Sequence, residues 1–242
     1  MVMTVENPQE IKRLRAISCG NPEIDKRLGG GIPRKSLVLI EGQSDSGKSV
    51  LTQQLVWGSL KEGCTVSVLT TENTVKSLIV QMQSLNLDIL DYCLLSRLKI
   101  YPLKAMKARS GVDKALLALL NAVRLQEGRD LVIVDSLTSF IAHSSPEQVI
   151  AFFEDCKTGC NEGTTIAVVA HSYAFDEAML VRISSMCDAH LRLRVENLGD
   201  RLMKILEVAK IRGAHMSTGN VISFDVEPGW GMRIIPYSRA RA

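Results

Sequence analysis

Residues Ser36–Leu60 read SLVLIEGQSDSGKSVLTQQLVWGSL. An apolar strand pattern runs into Gly42-Gln43-Ser44-Asp45-Ser46-Gly47-Lys48-Ser49, and a helical pattern carrying Leu51 and Leu55 follows. The eight central residues fit G-x-x-x-x-G-K-[ST] at every fixed position, in the strand–loop–helix order that a phosphate-binding loop requires. The residue types follow from the task. Successive backbone N–H groups must turn inward around phosphate oxygens, and Gly42 and Gly47 permit the angles and the close approach that side chains forbid. The helix that opens at Lys48, Ser49 and Val50 aims its positive end at the anion. Lys48 is a point charge for the β- and γ-phosphates, and the Ser49 hydroxyl is a candidate magnesium ligand. Asp45 would repel an anion from inside such a loop, so its side chain is expected to point outward.

The 242 residues, 46% of them hydrophobic, suffice for one α/β domain with a single core, and one domain over 1–242 is expected. The net charge of +3 is too small to argue for nucleic acid or an anionic membrane. Six cysteines, at 19, 64, 93, 156, 160 and 187, form no C-x-x-C pair. They read as core thiols of a reducing cytosol rather than a zinc site or a disulfide framework. The N-terminus lacks a charged-then-apolar signal pattern, and no apolar run approaches the roughly 18 residues of a membrane span, so membrane contact is expected only through partners. Residues 1–16 form a polar arm whose Lys12, Arg13 and Arg15 are either solvated or a docking segment, and residues 237–242 are expected to fray.

Along the chain, Gly29-Gly30-Gly31-Ile32-Pro33 is turn punctuation before the first strand. A strand over 65–70 ends in Thr71-Glu72-Asn73, and a helix over 74–85 keeps Leu78, Met82 and Leu85 in phase. Ligands bind beyond the C-terminal ends of parallel strands, which makes Glu72 a candidate general base. A strand over 98–101 and a helix over 112–127 with a Leu116, Leu119, Leu120 and Val123 core stripe come next. The run Leu131-Val132-Ile133-Val134-Asp135-Ser136 is a buried parallel strand that carries Asp135 to its exposed end, where a carboxylate holds magnesium or its waters. Ser145, Pro146 and Gln148 make a capping box for another helix. A strand over 164–170 delivers His171 to the same edge, where it either senses the γ-phosphate or is satisfied by a neighbouring backbone group. From His190 the pattern changes to short strands over 190–195, 203–209, 221–226 and 232–235, read as an antiparallel extension of the parallel sheet. Between two of them lies Lys210-Ile211-Arg212-Gly213-Ala214-His215, a basic loop that the chain's own nucleotide need not face.

These segments resemble the RecA/KaiC-type P-loop ATPases over nearly the whole chain. The likeness rests on Cys19-Gly20-Asn21-Pro22-Glu23-Ile24-Asp25 and Leu28 to Pro33 leading into the loop, then Glu72, Asp135 and the Lys210–His215 segment. Within that family the GQSDSGKS, TTEN and IRGAHM segments look most like the archaellum accessory ATPases of the FlaH type. The resemblance implies a RecA-like core, with a mainly parallel sheet flanked by helices and antiparallel C-terminal strands. It implies ATP and Mg2+ as ligands, bound by residues 42–50 with Ser49 and Asp135 on the metal, and Glu72 and His171 beside the γ-phosphate. It also implies an ATP-favoured homo-oligomer, a six-membered ring in which Lys210 and Arg212 reach the neighbour's γ-phosphate. The implied partners are the archaellum motor ATPase and its membrane platform protein, at the inner face of the membrane. One departure matters. KaiC-like enzymes commonly carry two adjacent glutamates after the second strand, and here the second is Asn73, which cannot take a proton from water. Slow hydrolysis and a nucleotide-gated role are therefore expected, with Asn73→Glu raising turnover if the missing acid is the limitation. The alternatives are a RecA/RadA-type recombinase and a KaiC-like signalling ATPase or autokinase. The first needs basic DNA-contacting loops, and Leu137–Ser144 contains no Lys or Arg.

Overall fold

A computed structural model describes residues 16–103, 114–198, 201–219 and 221–235. A short strand β1 (Ala16–Ile17) leads through α1 (Pro22–Arg27) to β2 (Ile32–Pro33), with which it pairs. There follow β3 (Leu37–Gly42), α2 (Lys48–Lys61), β4 (Val66–Thr70), α3 (Val75–Ser84), α4 (Leu90–Leu94) and β5 (Leu98–Pro102). Next are α5 (Ala115–Arg124), β6 (Leu131–Asp135), α6 (Thr138–Ile141), α7 (Pro146–Asn161), β7 (Thr165–His171) and α8 (Glu177–Met186). The described chain closes with β8 (Ala189–Leu198), β9 (Arg201–Ile211), β10 (Val221–Glu227) and β11 (Gly231–Ile234).

Local chemistry sets the helix starts. Asn21 accepts from the N–H groups of Glu23 and Ile24, and Pro22 fills the first position of α1, where its missing N–H costs nothing. Thr74 with Ser77, and Ser145 with Gln148, close reciprocal capping boxes on α3 and α7.

Among the described residues the main sheet runs β11-β10-β9-β8-β3-β7-β6-β4-β5. Strands β8, β3, β7, β6, β4 and β5 are parallel, and β9, β10 and β11 continue antiparallel from β8. The antiparallel extension thus begins one strand later than the sequence suggested, because β8 itself runs parallel beside β3. One face carries the core of α2 and α3, with Leu51, Leu55, Leu78 and Met82 against Val38, Ile40, Leu191 and Phe224. The other carries α5, α7 and α8, with Leu119, Phe152, Phe153 and Ile183 against Leu39, Val134 and Val168. Strands covered on both faces read as continuous apolar runs, as LVLI and LVIV do.

Ala16, assigned above to the polar arm, is instead a buried strand residue. Residues 1–15, with Lys12, Arg13 and Arg15, and the tail at 237–242 lie outside the described residues, as does the start of the helix expected from 112. The core stripe on α5 is as read, with Leu116, Leu119, Leu120 and Val123 buried. All six cysteines are free, Cys93 half-buried and the others buried. Helix α8 was not anticipated: of its residues only Ile183 is fully buried, too little to mark a period. No helix among the described residues is long and apolar enough to cross a membrane.

Candidate nucleotide site

The sheet order brings the acidic and basic side chains to one edge. Gly42 at the end of β3 lies opposite His171 at the end of β7, Asp135 of β6 opposite Val169, and Thr70 of β4 opposite Asp135. Four neighbouring parallel strands therefore present the 42–50 loop, His171, Asp135 and Glu72 along one line, beyond their C-terminal ends.

The loop is packed from beneath by the later strands. A Cβ on Gly42 would sit 2.2 Å from the Leu193 carbonyl oxygen, and one on Gly47 2.8 Å from the Phe224 ring, so neither position has room for a side chain. Gly47 also has φ 95°, a left-handed conformation at the start of α2. Asp45 is exposed, and its charge acts on Lys48. Lys48 is 7% exposed and folds onto its own loop: Nζ donates to the Gly42 carbonyl at 3.1 Å and the Gln43 carbonyl at 2.5 Å, and lies 3.5 Å from His171 Nδ1. Burial lowers its pKa, opposed by Glu72, Asp135 and Asp45.

Asp135 is buried, and its pKa is pushed up to about 7, first by burial and then by Glu72, with Lys48 pulling the other way. Glu72 is exposed and accepts a hydrogen bond from Ser136 Oγ at 3.3 Å. A cavity of about 370 Å³ lined by Glu72, Ser136, Thr138, Ser139, His171 and Tyr173 opens on this side of the loop. The His171 ring stacks on the exposed Tyr173, with centroids 5.1 Å apart. Its backbone N–H donates to Thr138 Oγ1 at 2.8 Å, and burial and Lys48 lower its pKa. A larger cavity, about 720 Å³ beside Ser18, Asp25 and Lys61, lies at the far end of α2, away from this edge.

Two features go beyond the sequence reading. Asn73 is buried, and its Oδ1 accepts from Gln81 Nε2 at 2.9 Å and Ser77 Oγ at 3.2 Å, so it is turned onto α3. Glu41, one residue before the loop, is 1% exposed. Arg192 Nε donates to its Oε1 at 2.6 Å, Ser172 Oγ donates to Oε2, and His190 Nε2 stands 3.4 Å away. Burial alone would raise its pKa, but His190, Ser172 and Arg192 outweigh it and bring it down to about 2. The signal for Glu41 was there: an acid inside an otherwise apolar strand is tolerated only when it is paired.

Lys210 and Arg212 stand elsewhere. Lys210 pairs across β9–β8 with His190, which lies opposite Leu39 of β3, three residues before the loop. At about 3.3 Å per residue that is roughly 10 Å short of it, towards the opposite edge of the sheet. Lys210 Nζ donates to the Ser184 carbonyl and Arg212 Nη2 to the Ser185 carbonyl at 3.2 Å, at the negative end of α8. The pair therefore does not meet the loop of its own chain.

A sequence profile described as "ATPase: KaiC" matches residues 17–239. The chain is 37% identical over 229 residues to the archaeal flagellar ATP-binding protein FlaH of Sulfolobus acidocaldarius, covering 93% of this chain and 99% of the relative. Identity to FlaH of Methanocaldococcus jannaschii is 30%, over 93% of this chain and 97% of the other. The crystal structure of that flagellar accessory protein matches with a TM-score of 0.79 at 29% identity, over 88% of this chain and 95% of that one. A KaiC-like protein of Pyrococcus horikoshii matches with a TM-score of 0.73 over 92% and 99%, and at 18% identity that likeness concerns the fold alone. A phosphate loop on a RecA-like sheet, with these relatives matched over most of the chain, leaves one assignment: the chain belongs to the KaiC family of RecA-like P-loop ATPases and, within it, to the FlaH group of archaellum accessory ATPases.

Proposed function

We propose that the chain binds ATP with Mg2+ at residues 42–50 and works as a nucleotide-gated accessory ATPase of the archaellum. In this reading it docks as an ATP-favoured ring onto the motor ATPase beneath the membrane platform protein, on the cytoplasmic side. The observation that carries it is the division of charges between the two edges of the sheet. Lys48, Glu72, Asp135 and His171 converge at one, and Lys210 and Arg212 are held well back from it on the carbonyls that end α8, where only a neighbouring chain brings them to a phosphate.

Lys48 now satisfies its ammonium on two loop carbonyls. Phosphate oxygens offer the same group charged acceptors, so binding exchanges neutral hydrogen bonds for charge-assisted ones. The Ser49 hydroxyl and the Asp135 carboxylate are hard oxygen donors that suit Mg2+ completed by phosphate oxygens and waters, and a dication there would return the buried carboxyl to its charged form. That ion would supply charge neutralisation at the phosphates. Glu72 is the carboxylate at the open cavity and the one we assign to orienting water, and Asn73, engaged by α3, gives it no help. Turnover by the isolated protein is accordingly slow, and ATP acts mainly as a signal of shape.

The recombinase reading loses support, because α6 sends Phe140 and Ile141 into the core rather than forming a basic DNA loop. The test is co-purification of tagged chain with the archaellum motor ATPase in MgATP and in MgADP. Retention that needs ATP and is lost in Lys48→Ala supports the proposal; equal retention under both nucleotides contradicts it.

A further inference from the structure

Among the described residues, a buried cluster of charged and polar side chains lies close to the candidate site and leads from the loop to the end of α8. At the loop edge, His171 Nδ1 lies 3.5 Å from Lys48 Nζ. The next residue, Ser172, donates its hydroxyl to Glu41 Oε2. On the other carboxylate oxygen, Glu41 accepts from Arg192 Nε at 2.6 Å and faces His190 Nε2 at 3.4 Å, a close approach without a hydrogen bond, with both the Glu41 and His190 side chains almost wholly buried. The opposite ring nitrogen of His190 lies 2.9 Å from Ser184 Oγ, in the last turn of α8. That turn supplies the two carbonyls, of Ser184 and Ser185, on which Lys210 and Arg212 rest.

We propose that the buried Glu41–His190 pair is a positioning device that couples the γ-phosphate side of each chain's own loop to the Lys210 and Arg212 cations it offers to its neighbour. The inference rests on the trans role proposed above. Its physical basis is the asymmetry of buried charge. A carboxylate shielded from water holds the groups around it to a narrow geometry, because losing one leaves its charge to Arg192 alone in a medium that screens it poorly. Ser172 and His190 are therefore not independent: a displacement of one changes the field and the space available to the other. When phosphate oxygens draw Lys48 off the Gly42 and Gln43 carbonyls, the group beside His171 moves. The strand end that carries His171 and Ser172 is then free to settle differently against Glu41. His190 passes that choice to the end of α8, where the seat of the two cations is set. Neither Glu41 nor His190 touches nucleotide in this scheme; each acts through the residues it holds.

The experiment measures assembly by light scattering over a concentration series in MgATP and in MgADP, for wild type, Glu41→Gln and Ser184→Ala. ATP affinity in dilute protein and melting temperature are recorded alongside. Ser184→Ala removes one partly exposed oxygen, so it remains decisive should Glu41→Gln fail to fold. A wild-type ratio of ATP to ADP assembly constants of tenfold or more is expected to fall below threefold in the variants. ATP affinity should stay within twofold. Ser184→Ala leaves His190 Nδ1 without its partner and should lower the melting temperature by a few degrees, a loss that by itself would weaken assembly alike in both nucleotides and leave their ratio unchanged. A ratio that persists in both variants overturns the coupling and leaves the ring reading standing. A wild-type ratio of one overturns the ring reading and this inference with it.

Discussion

Replacing Asp135 with Asn removes the one acidic group at the candidate site whose buried state conflicts with its charge. Its pKa rises from 3.8 to about 7, through burial first and the Glu72 carboxylate second, against the pull of Lys48. The folded chain thus holds a proton that the unfolded chain releases near pH 4. This contribution is fully present below the unfolded pKa and is lost as pH rises through 7. The whole shift corresponds to roughly 4 kcal/mol, of which about 2.5 kcal/mol falls between pH 5 and 8. For a chain of this size that is about 5–10 °C in melting temperature. Thermal unfolding of the nucleotide-free protein at half-unit steps of pH measures it. The wild type should lose stability from pH 5 to 8 relative to Asp135→Asn, which has nothing to ionise at this position. The difference should shrink in MgATP, because a dication beside the carboxylate favours its charged form. Parallel curves for the two proteins across the whole window would refute the burial argument.

Lys48→Ala leaves the phosphates without the loop's cation and should weaken ATP binding by about 100-fold or more, the equivalent of a charge-assisted hydrogen bond of about 3 kcal/mol, with the fold retained. Isothermal titration checks it. Glu72→Gln should reduce ATP hydrolysis by about 10²-fold while sparing ATP affinity, as loss of a positioned base does, read by phosphate release. Asn73→Glu should not raise turnover, contrary to the expectation from the missing second glutamate. A carboxylate at that buried position meets Ser77 and Gln81 on α3, and the change should cost about 1–3 kcal/mol in denaturant unfolding.

The loop was legible because its chemistry is local: eight consecutive residues contain both the glycines and the cation. Asp135 and His171 were legible because each ends an apolar run, and parallel strands put such ends on one edge. Other features depended on partners far away in sequence. Arg192 reaches Glu41 across 151 positions, a contact created only when β8 lies down beside β3. The direction of Asn73 depended on how α3 is rotated, which places Ser77 and Gln81 over it. Nothing in TTEN distinguishes an amide facing a phosphate from one facing a helix. The separation of Lys210 and Arg212 from their own loop was anticipated as a possibility, but strand register was needed to put them towards the other edge.

The central claim is that ATP acts by joining chains through those two cations. Light scattering of the wild type, Arg212→Ala and Lys210→Ala in MgATP and in MgADP tests it most directly. The account predicts a larger assembled mass in ATP for the wild type, a response lost in both variants although each still binds ATP. Equal masses under the two nucleotides across a broad concentration range, or an ATP response that survives in both variants, would contradict it.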